Sequence, residues 1–204
     1  SSPYVDYATD TLWVGDGNGQ LHKFTGVFEG TPQEVVGGGF PAPVAPGLKL
    51  SSPVAYAGQV YVGSQSGGPG IGGKLHRVDA GTGAVVSSDK LAEDNSTGVL
   101  ESPIVTAFDS GTSIYTFVFN DGYSRRTAGC AARNSPGNSG CRQIARFDPG
   151  FAEGDDPVQV VRVGRGNNLV STLHAGGFDE AFYASADGTG AMYIAGGTTN
   201  TAFQ

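Results

Sequence analysis

Arginine and tyrosine side chains are concentrated between residues 121 and 142 of the sequence. The set that could anchor a partner there is Tyr123, Arg125, Arg126, Arg133 and Arg142. These residue types are enriched at the energetic centres of protein interfaces, because each combines a large contact area with hydrogen-bonding groups. The segment therefore predicts a surface that binds a protein or a glycan. The alternative is a solvated loop that binds no partner.

The same segment holds the two cysteines, Cys130 and Cys141, eleven residues apart. A loop of this length can be closed by a disulfide, and we predict that bridge. Metal ligation is the weaker alternative, because no second cysteine pair and no nearby histidine accompany the two thiols. A disulfide requires an oxidising compartment, so we expect a secreted, periplasmic or cell-surface protein.

Other residues that could do chemistry give weaker signals. Segment 16–19, Asp-Gly-Asn-Gly, has the oxygen groups that open a calcium loop, but it lacks the third acid and the bidentate glutamate, so a hairpin turn is the better interpretation. His22 and His76 occupy equivalent places in a repeat, where we expect them to point into separate sectors. His174 lies near Asp179, and acid-base chemistry there is the alternative to a plain loop residue. We predict no catalytic set and no metal site.

Composition limits the class of partner. The chain has 12 lysines and arginines against 19 aspartates and glutamates, and its net charge of -7 repels a phosphate backbone, so we expect no nucleic-acid partner. Apolar runs are only a few residues long, and we predict no membrane span. The 34 glycines among 204 residues favour many strands joined by glycine turns.

The elements that position these residues follow a repeat of fifty residues. Ser-Pro pairs begin at positions 2, 52 and 102, and the same succession of short apolar segments follows each pair. In the first unit the segments are residues 3–5, 11–16, 20–24 and 33–36. A fourth unit begins at residue 178 and has two such segments, 181–184 and 191–196. A fixed period of this length is typical of a repeat architecture.

Most segments are rich in β-branched or aromatic residues and are bounded by Gly, Pro, Asp or Asn, which indicates strands. Four antiparallel strands in each unit predict an all-β fold, a β-propeller with blades at residues 1–50, 51–101, 102–177 and, in part, 178–204. A β-sandwich built from the same strands is the alternative. Three and a half blades would leave sheet edges unpaired at both ends, so we expect them to be part of a larger ring.

The repeat also resembles a known family. Residues 51–54 (Ser-Ser-Pro-Val), 60–64 (Val-Tyr-Val-Gly-Ser) and 75–83 (Leu-His-Arg-Val-Asp-Ala-Gly-Thr-Gly) are similar to the repeat of PQQ-like (quinoprotein alcohol dehydrogenase-like) β-propellers. The resemblance touches all four units and implies the propeller fold, which hosts both enzymes and scaffolds. The quinoprotein enzymes carry a tryptophan soon after Thr-Gly and a vicinal cysteine pair. This sequence has Ala-Val-Val at residues 84–86 and no adjacent cysteines, so we expect neither PQQ nor calcium.

In a propeller, the connections between second and third strands emerge on one face, together with those between blades. The second unit inserts residues 65–73 there and the third inserts residues 121–142; we call this side the loop-rich face. We predict a non-catalytic scaffold that binds a protein or glycan, or further copies of itself, through this face. The alternative is a PQQ-like sugar or alcohol oxidoreductase, or another propeller enzyme, with its site at the ring centre.

Overall fold

The computed structural model describes residues 1–68, 71–92, 98–108, 111–121, 141–165, 179–186 and 192–198, and these residues form fifteen β-strands and no helix. Sheet 1 consists of β1 (Tyr4–Asp6), β2 (Thr11–Gly15), β3 (Gln20–Thr25), β4 (Gln33–Glu34) and β5 (Ala42–Pro43). Sheet 2 consists of β6 (Val54–Tyr56), β7 (Gln59–Gly63), β8 (Leu75–Asp79) and β9 (Val85–Ser87). Sheet 3 consists of β10 (Ile104–Phe108), β11 (Gly111–Asp121), β12 (Cys141–Phe147) and β13 (Gln159–Arg165). The last two strands, β14 (Asp179–Ala186) and β15 (Met192–Thr198), pair with each other.

Each of the first three repeat units forms a sheet of its own. In sheets 1 to 3, four strands pair antiparallel in chain order, and the fourth unit contributes the β14–β15 hairpin. The predicted all-β class and the four antiparallel strands of each complete unit are therefore confirmed. A β-sandwich would instead merge strands of several units into two layers. The described sheets do not close into a ring.

The connection after the fourth strand of sheet 1 differs from the prediction. The strand predicted at residues 33–36 is only Gln33–Glu34, and the segment 37–50 between the first two units, for which no strand was predicted, contains the short strand β5. Glycines 37, 38 and 39 have φ angles of 104°, 58° and 89°, which turn the chain back on itself. As a result, Ala42 pairs with Leu21 at the start of β3.

The hydrophobic core lies between successive sheets. Trp13 and Leu21 of sheet 1 pack in one buried cluster with Val60, Val62 and Val78 of sheet 2. A second cluster joins residues of sheet 2 to residues of sheet 3, among them Tyr61, Leu75, Ile114, Val118 and Phe147. Because side chains alternate along a strand, β7 contributes to both clusters, so sheet 2 is covered on both faces.

The first strands of sheets 1 to 3 contact one another, β1 with β6 and β6 with β10. The backbone N–H of Ser2 donates a hydrogen bond of 2.8 Å to the hydroxyl of Ser52, fifty residues away. The hydroxyl of Tyr4 donates to the carbonyl oxygen of Ala55 at 3.3 Å. The Ser-Pro pairs of the first two units therefore mark the place where neighbouring sheets meet.

Candidate interaction site

In each of sheets 1 to 3, an aromatic residue of the second strand lies opposite a basic residue of the third strand. The three cross-strand pairs are Trp13 with Lys23, Tyr61 with Arg77, and Tyr115 with Arg146. Residues directly opposite each other in an antiparallel sheet project from the same face. In sheets 1 and 2, this is the face that packs on the following sheet.

In sheet 1 the basic member of the pair binds the next sheet. Lys23 Nζ donates a hydrogen bond of 2.8 Å to the carbonyl oxygen of Ala80, in the turn after β8. The same ammonium lies 5.0 Å from the ring centre of Trp13 and 5.3 Å from that of Phe40. The negative faces of the two rings attract the cation, so the contact stabilises the interface between sheets 1 and 2.

Asp79 shapes the turn that presents the carbonyl group of Ala80. Its Oδ1 atom accepts hydrogen bonds from the backbone N–H groups of Gly81 at 3.0 Å and Thr82 at 2.8 Å. The Thr82 N–H group is the largest cause of the lowered pKa of Asp79, because it favours the charged carboxylate. The ionised side chain thus fixes the turn that Lys23 recognises.

In sheet 2 the equivalent pair makes two hydrogen bonds to sheet 3. Arg77 Nη2 donates to the carbonyl oxygen of Phe151 at 2.9 Å, and the guanidinium lies 5.7 Å from the Phe151 ring centre. Tyr61 Oη donates to the carbonyl oxygen of Pro149 at 2.9 Å. Burial raises the pKa of Tyr61, an effect that Arg77 partly opposes, so the hydroxyl stays protonated and remains a donor.

Backbone groups reinforce the interface between sheets 2 and 3. The N–H of Gly154 donates to the carbonyl oxygen of Ser87 at 2.8 Å, and the N–H of Asp89 donates to that of Asp155 at 2.9 Å. The N–H of Ser87 donates to Glu153 Oε2 at 2.7 Å. In both interfaces a cation on the third strand of the earlier sheet donates a hydrogen bond to a backbone carbonyl group in the turn after the third strand of the later sheet. We call these two contacts, Lys23 with Ala80 and Arg77 with Phe151, the latch.

Two glycines bring the backbones of sheets 1 and 2 into contact. A Cβ atom on Gly39 would lie 2.0 Å from the carbonyl oxygen of Thr82, and a Cβ atom on Gly83 would lie 2.4 Å from that of Gly39. Both glycines have positive φ angles, 89° and 69°. Only glycine permits this approach, because any side chain would overlap the facing backbone.

The third cross-strand pair has the same register but different contacts. Arg146 lies opposite Tyr115, and its Nη1 atom donates to Ser113 Oγ of the same sheet at 3.4 Å. Its buried Nε atom has no hydrogen-bond partner in the described part of the chain. Within those residues, Arg146 reaches no turn carbonyl of another sheet.

A buried histidine on the third strand of sheet 2 links the fourth strand to the residue that follows the second strand. His76 is 3% exposed; its Nε2 atom lies 2.9 Å from Ser64 Oγ, and its Nδ1 atom lies 2.9 Å from Ser87 Oγ. A neutral ring satisfies both hydroxyls by donating from one nitrogen and accepting at the other. Burial, and to a smaller extent Lys74, lowers the pKa of His76 from 6.5 to about 3. The side chain is thus a neutral link between strands.

The equivalent histidine of sheet 1 has charged neighbours. His22 Nδ1 lies 2.6 Å from Glu34 Oε1, and Nε2 lies 3.5 Å from Asp16 Oδ2. Asp16 Oδ1 also accepts hydrogen bonds from the backbone N–H groups of Asn18 and Gln20, each at 2.8 Å. Burial raises the pKa of Asp16, but these N–H groups and His22 outweigh it, so the pKa lies below its usual value. These bonds confirm the hairpin turn predicted at residues 16–19.

The part of the chain that the structure describes contains no group of three or more His, Cys, Asp or Glu side chains placed to hold a metal ion. His22 and His76 bind different partners and do not share a site, as the repeat predicted. None of the described residues belongs to a helix long and apolar enough to span a membrane.

Most residues of the predicted partner surface lie outside the described residues. These are Tyr123, Arg125, Arg126 and Arg133, and Cys130 of the predicted disulfide lies outside them as well. His174 also lies outside the described residues. Cys141 and Arg142 open strand β12, where the backbone of Cys141 pairs with Asp121 and with Arg165. The disulfide and the arginine surface therefore stay predictions.

The latch is the feature that our reading of the sequence missed. Its signal was present, because aligning the third strands of the three units places Lys23, Arg77 and Arg146 at one position. Within its own strand each of these cations looks like an ordinary solvated residue. Only the register with an aromatic residue of the neighbouring strand distinguishes the position.

Similarity to known proteins adds no assignment to this site. Comparison of the chain with protein-family models, with curated proteins and with solved structures found no match.

Proposed function

We propose that the chain forms consecutive blades of a β-propeller built from PQQ-like repeats, and that it acts as a non-catalytic scaffold. Three observations support the proposal. In each complete unit four strands pair antiparallel in one sheet, the first strands of sheets 1 to 3 contact one another, and sheets 1 and 2 each pack one face on the next sheet. This combination is typical of blades arranged around an axis.

The observation that carries the proposal is the constant direction of the latch. In both interfaces the third strand of one sheet supplies a cation, and the turn of the following sheet supplies a carbonyl oxygen. A contact that joins each unit to the next in the same way generates a regular series, as in other repeat proteins. The function of such a series is to hold its loops in a fixed arrangement.

The proposed partner binds to these loops. The loop-rich face would bind a protein or glycan through the arginines and tyrosine of residues 121–142, or further copies of the chain. A disulfide between the cysteines of the same segment would require an oxidising compartment, so the proposal includes a secreted, periplasmic or cell-surface setting. The rigid sheets below supply the support that a binding loop needs.

Uncoupling sheet 1 from sheet 2 tests the scaffold. The substitution Lys23→Met removes the charge-assisted hydrogen bond to Ala80, at a cost of about 2 kcal/mol, but keeps a flexible apolar chain over the rings. Trp13 is the single tryptophan, so its fluorescence reports on sheet 1, whereas far-ultraviolet circular dichroism reports on all sheets. In urea we expect the fluorescence transition of Lys23→Met to precede the dichroism transition.

In the unsubstituted chain the two transitions should coincide. Lys49→Met is the matched control, because it makes the same change at a lysine that is exposed. We expect the control to behave like the unsubstituted chain. If Lys23→Met also unfolds in one coincident transition without loss of stability, the latch does not couple the sheets, and the scaffold proposal fails.

A further inference from the structure

The two contacts of the latch are joined by side chains of sheet 2. Lys23 binds the turn that Asp79 shapes, and the Oδ2 atom of Asp79 accepts a hydrogen bond of 3.3 Å from Gln59 Nε2. Gln59 Oε1 accepts a hydrogen bond of 3.2 Å from Arg77 Nη1, while Nη2 of the same guanidinium donates to Phe151. One amide group therefore lies between the acceptor turn of the first interface and the donor cation of the second.

The strand register brings these three side chains together. Gln59 lies opposite Asp79, and Arg77 stands two residues before Asp79 on β8, so all three project from one face of sheet 2. Both hydrogen bonds of the amide are partly buried, which strengthens them relative to bonds on an open surface. At the aligned position of sheet 3, the hydroxyl of Ser113 likewise accepts a hydrogen bond from Arg146. The repeat therefore gives its aligned arginines a second acceptor at the same place.

Glutamine suits this place because its amide group is both a donor and an acceptor. The amide oxygen of Gln59 faces the guanidinium of Arg77, and the amide NH₂ group faces the carboxylate of Asp79. After a flip of the amide, two donors would meet at the guanidinium and two acceptors would meet at the carboxylate. The amide thus has two discrete orientations, and both of its neighbours favour the same one.

We infer that Gln59 couples the two interfaces of the latch, so that the contact made in one strengthens the contact made in the other. Arg77 bound to Phe151 holds the amide in the orientation that donates to Asp79. The anchored carboxylate then presents the turn to Lys23. The inference rests on the proposed scaffold and names a positioning residue within it. Coupling of this kind acts in both directions, because it is a free energy shared by the two sites.

Amide hydrogen exchange of the folded full chain tests the inference. The N–H of Thr82 reports on the first interface, because it donates to Asp79 Oδ1. Arg77→Met removes the guanidinium on the other side of the amide and should lower the protection of the Thr82 N–H by about fivefold or more. In a Gln59→Met background the same substitution should change that protection by less than about twofold, since the connecting amide is gone. The Trp13 emission and circular dichroism of each variant establish that it is folded.

Two controls separate coupling from a general loss of stability. The N–H of Asn18 donates to Asp16 Oδ1 at 2.8 Å in the hairpin of sheet 1, and its protection should stay the same in Arg77→Met. Arg146→Met makes the same change at the aligned position of sheet 3, where the cation does not contact the connecting amide. We expect this control variant to leave the protection of the Thr82 N–H unchanged.

The reverse experiment uses the N–H of Phe151, which donates to the carbonyl oxygen of Asp148 at 3.2 Å in the acceptor turn of sheet 3. Lys23→Met should lower the protection of this N–H, and it should do so only when Gln59 is present. This experiment does not require Arg77→Met, so it decides the inference if that variant does not fold.

Three outcomes would overturn the inference. They are unchanged protection of the Thr82 N–H in Arg77→Met, an equal loss with and without the Gln59 amide, and a loss that extends to the Asn18 N–H. The urea test of Lys23→Met measures whether the first contact of the latch joins its two sheets, and it does not involve the amide. The scaffold proposal can therefore hold if the coupling fails.

Discussion

Acidification should destabilise the protein through His76. The unfolded chain binds a proton on this side chain below pH 6.5, whereas the folded chain excludes the proton until the pKa of about 3 is reached. Between these values the unfolded state holds one more proton, so the free energy of unfolding falls as the pH falls. The slope is about 1.4 kcal/mol per pH unit, and the loss over the whole interval is about 5 kcal/mol.

His76→Gln isolates this contribution. Glutamine still offers one donor and one acceptor to Ser64 and Ser87, but it does not titrate. Urea unfolding followed by Trp13 fluorescence, at a series of pH values, gives the free energy of unfolding of both proteins. Two pH units below 6.5, the unsubstituted chain should have lost about 3 kcal/mol more than His76→Gln. Every other titrating group is common to both proteins, so its contribution cancels in the difference.

Parallel stability curves for the two proteins would refute the reasoning, because they would mean that His76 binds protons equally well in both states. A direct measurement guards against a variant that fails to fold. Nuclear magnetic resonance of the unsubstituted chain should show an imidazole that remains neutral two pH units below 6.5. A His76 signal that titrates near neutrality would contradict the buried, hydrogen-bonded ring.

Two further predictions concern the interface and the loops. Gly39→Ala should destabilise the chain by about 2 kcal/mol more than Gly38→Ala. Both glycines have positive φ angles, but only a Cβ atom on Gly39 would overlap the backbone of Thr82. If thermal unfolding shows the same loss of stability for both variants, the backbone contact is excluded. On an array of neutral, uronic-acid and sulfated oligosaccharides, replacing both Arg125 and Arg126 by alanine should weaken binding at least tenfold. Unchanged binding would show that these arginines belong to a solvated loop.

The strands were predictable because their signal is local. Short β-branched segments and glycine turns are each defined by a few neighbouring residues, and the Ser-Pro period of fifty residues shows directly in the sequence. Strand β5 was missed because Ala42–Pro43 has no strand signature, and its pairing depends on the turn made by glycines 37–39. A strand that forms because a preceding turn brings it beside another strand cannot be recognised from its own residues.

The site was less predictable than the strands for a related reason. Lys23 and Ala80 are 57 residues apart, and Arg77 and Phe151 are 74 residues apart. Such contacts depend on how two sheets face each other, which strand patterns alone do not specify. The two histidines illustrate the same limit. The repeat places His22 and His76 in equivalent positions, but only the packing leaves His22 partly exposed between two carboxylates and His76 buried and neutral.

The latch acceptors are backbone carbonyl groups, which every amino acid carries. The two described acceptor turns read Asp-Ala-Gly-Thr at residues 79–82 and Asp-Pro-Gly-Phe at residues 148–151, yet both receive the same kind of cation. Substitutions in these turns therefore leave the acceptor carbonyl group in place, provided that the turn shape is kept. The sequences of these turns can therefore diverge while the architecture persists. A unit copied by gene duplication carries both the donor cation and the acceptor turn, so it can pair with the units on either side.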